Sequence, residues 1–330
     1  MTGDMVTLNS LKDDILSGQR RALAKAITLV ESSRADHQEE AQALLTQLLP
    51  HTGKSVRLGF TGTPGVGKST FIEAFGLSLT AQGHRVAVLA VDPSSTRTGG
   101  SILGDKTRME RLSKDPNAYI RPSPSGGTLG GVARRTREAM LLCEAAGYDV
   151  ILIETVGVGQ SEIAVAEMVD MFLLMLSPGG GDDLQGIKRG IMELADLVII
   201  NKADGDLKAA ALRAAGDYTS ALRLMRPKTS CWTAGVFLAS ALEGQGLAQI
   251  WQQIQLFETA MKDSGALDAL RKTQSKAWMW SQIQDQLIDI FRARDPDKIQ
   301  NMEHAVAAGI IPPATAARDL LKDFLKNSPK

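Results

Sequence analysis

The chain has 330 residues, 44% hydrophobic and 22% charged, a composition typical of a globular protein with a sizeable core. Its 37 basic and 37 acidic residues leave a net charge of +0, which argues against nucleic-acid or anionic-membrane partners. No apolar run approaches the ~18 residues of a membrane span and no signal-like leader is evident, so a cytoplasmic location is expected. Two cysteines and four scattered histidines form neither a disulfide framework nor a metal-binding pattern.

The first fifty residues are predicted to be helical. Apolar residues recur at helical spacing over residues 8–15, 22–30 and 41–49. We assign residues 1–54 to an N-terminal helical extension that packs on the main domain.

Residues 62–69 read Gly-Thr-Pro-Gly-Val-Gly-Lys-Ser and match the phosphate-binding P-loop pattern. An apolar, strand-like run precedes them at 56–61, and helical spacing follows at 71–79, which is the order that a P-loop requires. In such a loop Lys68 carries its charge to the β and γ phosphates, and the Ser69 hydroxyl ligates Mg²⁺. The predicted phosphate-binding residues are Gly62, Thr63, Pro64, Gly65, Val66, Gly67, Lys68, Ser69 and Thr70.

From residue 55 to 262, short apolar runs alternate with helix-like segments. Further strand-like runs occupy residues 85–91, 150–153, 171–176, 197–200 and 236–239, and crossover helices are predicted between them, including 134–146 and 184–195. Nearly continuous apolar strands are typical of a parallel sheet covered on both faces. The sequence therefore predicts a doubly wound α/β domain whose ligands bind at the carboxyl ends of the strands.

Asn201-Lys-Ala-Asp204 follows one of these runs directly and predicts a guanine pocket. The Asp204 carboxylate can accept hydrogen bonds from N1–H and the exocyclic amine of guanine, and adenine offers no such pair. Lys202 can pack along the base plane, and Asn201 can bond to both the base and neighbouring loops. A backbone N–H for guanine O6 is expected from the segment Ser240, Ala241 and Leu242.

Glu154 and Gly157 lie at the end of the run 150–153 and predict a switch segment. Glu154 would lie beside Mg²⁺ and the Gly157 N–H beside the γ-phosphate. Many small GTPases place a water-orienting Gln immediately after this glycine, but here Val158 occupies that position and Gln160 is offset. This difference predicts slow intrinsic hydrolysis that depends on a rearranged loop or on stimulation by a partner protein.

Two further aspartates are candidate metal ligands, directly or through metal-bound water. Asp92 ends the run 85–91, and Asp105 lies in a Gly-Asp-Lys-Thr segment. The alternative interpretation is that they are turn or cap residues.

Beyond residue 262 the strand pattern stops, and a helical tail is predicted over 263–330. Residues 280–291 carry an amphipathic stripe, and helical spacing returns at 303–308 and 314–325. Such a stripe must pack on the main domain or on a second copy of the chain. We expect a homodimer, the commonest oligomer, with internal packing as the alternative.

These motifs together resemble the methylmalonyl-CoA mutase-associated GTPases, the ArgK/MeaB family of P-loop GTPases. The resemblance covers nearly the whole chain and rests on residues 61–70, 91–95, 99–109, 153–161, 179–188 and 201–204. It implies a homodimeric GTPase that uses GTP/GDP and Mg²⁺, binds an adenosylcobalamin-dependent mutase, gates cofactor loading and protects or reactivates the mutase. It also implies that residues 179–188 act as a further switch, from which Lys188, with Asp182, is hypothesised to supply catalytic charge.

The sequence is less consistent with three other functions. A kinase that phosphorylates a transport protein or a small substrate is the main alternative, although Asp204 disfavours ATP and no catalytic-loop Asp/Asn pair is evident. A binding module without turnover is inconsistent with intact Lys68, Ser69 and Glu154. Nickel delivery would require His or Cys ligands that the sequence does not supply.

Overall fold

The computed structural model describes residues 2–91, 109–122, 129–155, 161–178 and 189–326. By its internal contacts the chain divides into two compact units, Met1–Gln274 and Ser275–Lys330. The domain boundaries expected after residues 54 and 262 stay predictions. None of the helices in the described ranges has the length and apolar character needed to cross a lipid bilayer.

Within its described residues, the first unit opens with a group of three helices. Each helix has one apolar face because its apolar residues recur every three or four positions, and Leu23, Ile27 and Leu44 are fully buried there. The predicted helical segments are all found, with bounds that extend into their polar flanks. The helices are α1 (Thr2–Leu16), α2 (Arg20–Glu31) and α3 (Ala35–Leu48).

Seven parallel strands form the sheet of the first unit in the described part of the chain. They are β1 (Val56–Gly62), β2 (Val86–Val91), β3 (Ala118–Arg121), β4 (Val150–Thr155), β5 (Met171–Leu176), β6 (Leu197–Ile200) and β7 (Gly235–Leu238). Their order is β3-β2-β4-β1-β5-β6-β7, which places β1 between β4 and β5.

Helices cover both faces of this sheet, and alternate strand residues point to opposite faces. Leu173 and Ile199 belong to the same core as Phe75, whereas Leu174 and Ile200 belong to a second core with Tyr218. This confirms the doubly wound α/β prediction. The helices are α4 (Lys68–Thr80), α5 (Glu110–Ser113), α6 (Leu129–Ala145), α7 (Ser161–Ala166), α8 (Arg189–Leu194), α9 (Lys208–Arg223), α10 (Leu247–Asp263) and α11 (Ala266–Arg294).

The register of the sheet brings the ends of three strands together. Phe60 of β1 lies opposite Glu154 of β4 and Leu173 of β5, and Leu176 of β5 pairs with Ile200 of β6. Because all of these strands are parallel, the loops that follow β1, β4 and β6 leave from the same edge of the sheet.

The second unit is helical where the structure describes it. It contains the last part of α11 together with α12 (Pro296–Ala307) and α13 (Pro313–Lys326). Phe291 and Phe324 pack with ring centroids 5.3 Å apart, and the Arg294 guanidinium lies 4.9 Å above the Phe324 ring. These contacts hold α11 and α13 together inside the unit.

Candidate functional site

Strand β1 leads into the glycine-rich loop that the sequence predicts as the phosphate site. A Cβ on Gly62 would lie 2.3 Å from the carbonyl oxygen of Met175, because β1 and β5 approach closely there. Gly67 has φ 88°, and a Cβ on it would come within 2.9 Å of the Asn201 side-chain nitrogen. Both positions therefore require glycine. Helix α4 begins immediately afterwards, at Lys68, and its first N–H groups have no intrahelical partners, as an anion site requires.

The Lys68 side chain lies within this loop and is only 9% exposed. Its Nζ donates hydrogen bonds to the carbonyl oxygens of Gly62, at 2.7 Å, and Thr63, at 3.4 Å. Burial lowers the pKa of Lys68, and the carboxylates of Glu154 and Glu162 oppose that shift. A buried ammonium held by carbonyl groups gains strongly from an anionic ligand such as a polyphosphate.

Ser69 and Glu154 come together as the sequence predicts for a metal site. The Ser69 hydroxyl donates a hydrogen bond of 2.9 Å to Oε1 of the buried Glu154 carboxylate. Two adjacent ligands of an octahedral Mg²⁺ ion at its usual bond length are also about 2.9 Å apart, so this oxygen pair fits Mg²⁺. The described ranges contain no group of three or more His, Cys, Asp or Glu side chains that could hold a metal. Mg²⁺ commonly has few protein ligands and completes its shell with phosphate and water.

The segment after β6 contacts the glycine-rich loop directly. Asn201 is buried, and its Nδ2 donates to the carbonyl of Val66 at 2.9 Å while its Oδ1 accepts from the N–H of Ala241 at 3.3 Å. Lys202 has φ 59°, and its Nζ donates to the carbonyl of Gly65 at 2.7 Å. Asn201 and Lys202 thus tie the predicted base pocket to the predicted phosphate loop.

Asp204 is half-buried beside these residues and accepts a hydrogen bond from the Ser240 hydroxyl. Ser240 is fully buried, and its oxygen also accepts from the N–H of Glu243 at 3.1 Å. From the sequence, the only role predicted for residues 240–242 is to donate a backbone N–H to guanine O6. The structure adds that the Ser240 side chain orients the Asp204 carboxylate, while Leu242 is exposed.

Some predicted site residues lie outside the described residues. They are the candidate metal ligands Asp92 and Asp105, the switch glycine Gly157, and the proposed charge pair Asp182 and Lys188; Val158 and Gln160 of the switch also lie there. Their roles stay predictions.

Glu162 is a candidate functional residue that the sequence prediction missed. It lies in the first turn of α7, is 2% exposed, and acts electrostatically on Lys68. Its position directly after the motif at residues 153–161 could have indicated a functional role. Nothing in the sequence indicates that Glu162 is buried beside the P-loop.

Comparison with protein families matches residues 23–296 to the family described as methylmalonyl Co-A mutase-associated GTPase MeaB. A putative GTPase of Caulobacter vibrioides is 58% identical over 319 residues, which cover 96% of this chain and 98% of that protein. The methylmalonic aciduria type A homolog, mitochondrial, of Mus musculus is 53% identical over 329 residues, covering 96% and 79%. A solved structure described as LAO/AO transport system kinase has a TM-score of 0.77 and 41% identity, and covers 98% of both chains. The family match includes the phosphate loop, Glu154 and the segment 201–204.

Proposed function

The chain belongs to the methylmalonyl-CoA mutase-associated GTPase family MeaB, and we propose that it hydrolyses Mg²⁺-bound GTP in the service of an adenosylcobalamin-dependent acyl-CoA mutase. In this proposal GTP hydrolysis gates the loading of the cobalamin cofactor and protects or reactivates the mutase. The family name and the mouse relative support a mutase, methylmalonyl-CoA mutase or a related enzyme, as the partner.

One observation carries the nucleotide part of the proposal: the two halves of a guanine-nucleotide site form one hydrogen-bonded network. Asn201 bonds to Val66 in the phosphate loop and to Ala241 beside the base pocket. Asp204 is held in place by Ser240 at the same edge of the sheet. A carboxylate in this position can accept hydrogen bonds from both donors of guanine, the N1–H and the exocyclic amine. Adenine has no such donor pair, so it would leave the carboxylate without hydrogen bonds.

The residues divide the chemistry of hydrolysis between them. Water attacks the γ-phosphorus, the bond to the β–γ bridging oxygen breaks, and GDP and inorganic phosphate leave. Lys68 exchanges the carbonyls of Gly62 and Thr63 for the β and γ phosphate oxygens and neutralises charge as it develops. Ser69 and Glu154 would hold Mg²⁺, which supplies Lewis-acid stabilisation of the phosphates.

Slow intrinsic turnover, stimulated by the partner, is part of this proposal. Val158 has no polar group to orient the attacking water, so the unpartnered chain lacks that contribution. Lys188, with Asp182, is proposed to add the missing charge when the mutase docks. Asp92 and Asp105 are proposed to contribute to the metal shell, directly or through metal-bound water, and phosphate and water would complete it.

A second candidate function is phosphate transfer to a protein acceptor. The solved relative described as LAO/AO transport system kinase is the observation that favours it. The Asp204 pocket argues against ATP as the donor, because adenine would leave this carboxylate without its hydrogen-bond donors. GTPase and kinase therefore predict different nucleotide preferences and different phosphate acceptors.

The experiment that separates them measures turnover of GTP and ATP, with and without a purified adenosylcobalamin-dependent acyl-CoA mutase. Released phosphate, labelled acceptor and complex formation are followed in the same samples. We expect GTP hydrolysis to water, acceleration by the mutase, and a stable complex. In the same assay Asp204→Asn should lose about 10²-fold or more in preference for GTP over ATP, because its amide mismatches the guanine donors. Phosphate that moves onto a protein acceptor, without stimulation by the mutase, would instead support the kinase.

We also propose that the chain is a homodimer through its helical tail. In the second unit Trp280 and Leu287 of α11 are exposed, as is Ile310, and burial of these apolar side chains against a second copy would stabilise a dimer. Light scattering should give twice the chain mass of 35.3 kDa. Leu287→Asp should shift the protein to the monomer, whereas Gln286→Asp, also at an exposed position of α11, should not. A monomeric wild-type protein, or a Leu287→Asp dimer, would contradict this proposal.

A further inference from the structure

Strands β1 and β4 separate before either strand ends. The backbone pairing of β1 with β4 extends only to Phe60 and Glu154. Beyond that point β1 remains paired with β5 as far as Gly62, and β4 remains paired with β2 as far as Thr155. The ends of β1 and β4 are therefore held to their outer neighbours but not by backbone pairing to each other. This separation lies at the carboxyl edge of the sheet, where doubly wound folds bind their ligands.

A pair of buried hydroxyl groups joins the two strands at this point. The Thr155 hydroxyl donates a hydrogen bond of 3.2 Å to the Thr61 hydroxyl, and the two residues are 0% and 1% exposed. Thr61 shares its face of β1 with Gly59, two residues earlier, which packs against Val165 of α7. Because both threonines are buried, loss of one hydroxyl would leave the other without this bond and without bulk water to replace it.

The candidate metal pair lies on the opposite face of the same two strands. Glu154 lies opposite Phe60, whose ring packs on Phe71 of α4 with centroids 5.9 Å apart. On this face the Ser69 hydroxyl bonds to Glu154 at 2.9 Å, a separation that suits two ligands of one Mg²⁺ ion. Ser69 is placed by β1 through the phosphate loop, whereas Glu154 is placed by β4. The spacing of the metal pair therefore depends on the spacing of the two strand ends.

We propose that the hydroxyl bond between Thr61 and Thr155 positions the Mg²⁺ ligands, by fixing the distance between the ends of β1 and β4. This inference rests on the proposed function, since it requires Mg²⁺-GTP to bind at this site. The two threonines are positioning residues, which act through Ser69 and Glu154 rather than on the nucleotide. Mg²⁺ demands near-ideal octahedral geometry, and groups that hold its ligands in place change its affinity without contacting it.

The test measures how much Mg²⁺ raises the affinity for a non-hydrolysable GTP analogue, by calorimetry on the full chain with Mg²⁺ and with EDTA. Thr155→Val keeps the shape of the side chain and removes the donor. We expect it to lower the Mg²⁺-dependent gain in affinity about three- to tenfold, the usual effect of one hydrogen bond, and to leave the affinity in EDTA unchanged. Thr155→Ser keeps the hydroxyl and should restore the wild-type gain. Thr61→Val should match Thr155→Val, and the two changes together should cost no more than either alone.

Thr80→Val is the matched control. Thr80 is also buried, and its hydroxyl bonds to the Asp115 carboxylate at 2.7 Å, but it lies at the opposite end of α4 from Ser69. This change should leave the Mg²⁺-dependent gain unaltered. Thr61→Val provides the measurement if Thr155→Val does not fold.

Two results would overturn the positioning role: a wild-type gain in the Val variants, or an equal loss of affinity with and without Mg²⁺, which indicates a merely structural bond. A wild-type chain that binds no nucleotide, or whose affinity does not respond to Mg²⁺, overturns the proposed function itself. The two failures are thereby distinguished.

Discussion

Lys68→Ala is expected to lower kcat for GTP hydrolysis by about 10²–10³-fold, the usual effect of removing one preorganised charge contact to a transition state. Lys68 is the ammonium that the loop holds on the carbonyls of Gly62 and Thr63, ready to be transferred to phosphate oxygens. Nucleotide affinity should fall with it, because the backbone N–H groups of the loop remain but the point charge is lost.

The Lys68→Ala variant should still fold, so that a lower kcat can be attributed to the lost side chain. Burial lowers the pKa of Lys68, so the folded protein does not stabilise the charged form of this side chain by itself. Phosphate release and thermal unfolding are measured on the same preparations. Lys208→Ala, at an exposed lysine that begins α9, is the matched control and should retain wild-type turnover. A folded Lys68→Ala protein with wild-type kcat would remove Lys68 from the mechanism.

Local patterns were sufficient to predict most of the sheet. The strands with continuous apolar runs, such as β5 and β6, were predicted within their observed bounds, because a buried parallel strand needs an unbroken apolar sequence. Strand β3 was missed. Its four residues, Ala-Tyr-Ile-Arg, are too short to show a period, and only pairing with β2 makes them a strand.

In the candidate site, too, the sequence predicts residues that belong to local motifs but not residues whose roles depend on tertiary contacts. Lys68, Ser69 and Asp204 are predicted as site residues from the sequence because each has a fixed position within a motif of known chemistry. Glu162 and the Ser240 hydroxyl were not, since their roles depend on which loops the sheet order places together. The contact between Ser240 and Asp204 joins residues 36 positions apart. No periodicity in one segment can predict such a pairing.

The first unit contains a buried charge network that the sequence analysis did not predict. Arg57, in β1, forms two hydrogen bonds with Glu144 of α6, of 2.8 and 3.0 Å, and their side chains are 6% and 1% exposed. The Ser55 hydroxyl donates to the same carboxylate at 2.5 Å. Arg271 of α11 pairs with Asp170, whose carboxylate also accepts from the N–H of Arg57 at 2.9 Å. The network joins β1 to α6, to α11 and to the start of β5.

Glu144→Ala is expected to lower the free energy of unfolding by about 3–5 kcal/mol, because it leaves the buried Arg57 guanidinium without its counter-charge. Chemical denaturation measures this loss. Arg57→Met combined with Glu144→Leu replaces the pair with apolar side chains of similar size, and should recover most of the stability. Glu110→Ala breaks an exposed pair with Lys114 and should cost less than about 1 kcal/mol.

The pH dependence supplies a second test of the same pair. Burial by itself raises the pKa of Glu144. The hydrogen bonds and charge of Arg57, together with the hydrogen bonds from the Ser55 hydroxyl and the Gly53 N–H, outweigh burial and hold this pKa below its ordinary value of 4.5. A lowered carboxyl pKa contributes stability above the unfolded value, and this is lost as pH falls through the folded one. The difference between wild type and Glu144→Ala should therefore shrink below pH 4.5. A difference that stays constant on acidification would show that lost packing, rather than lost charge, causes the effect.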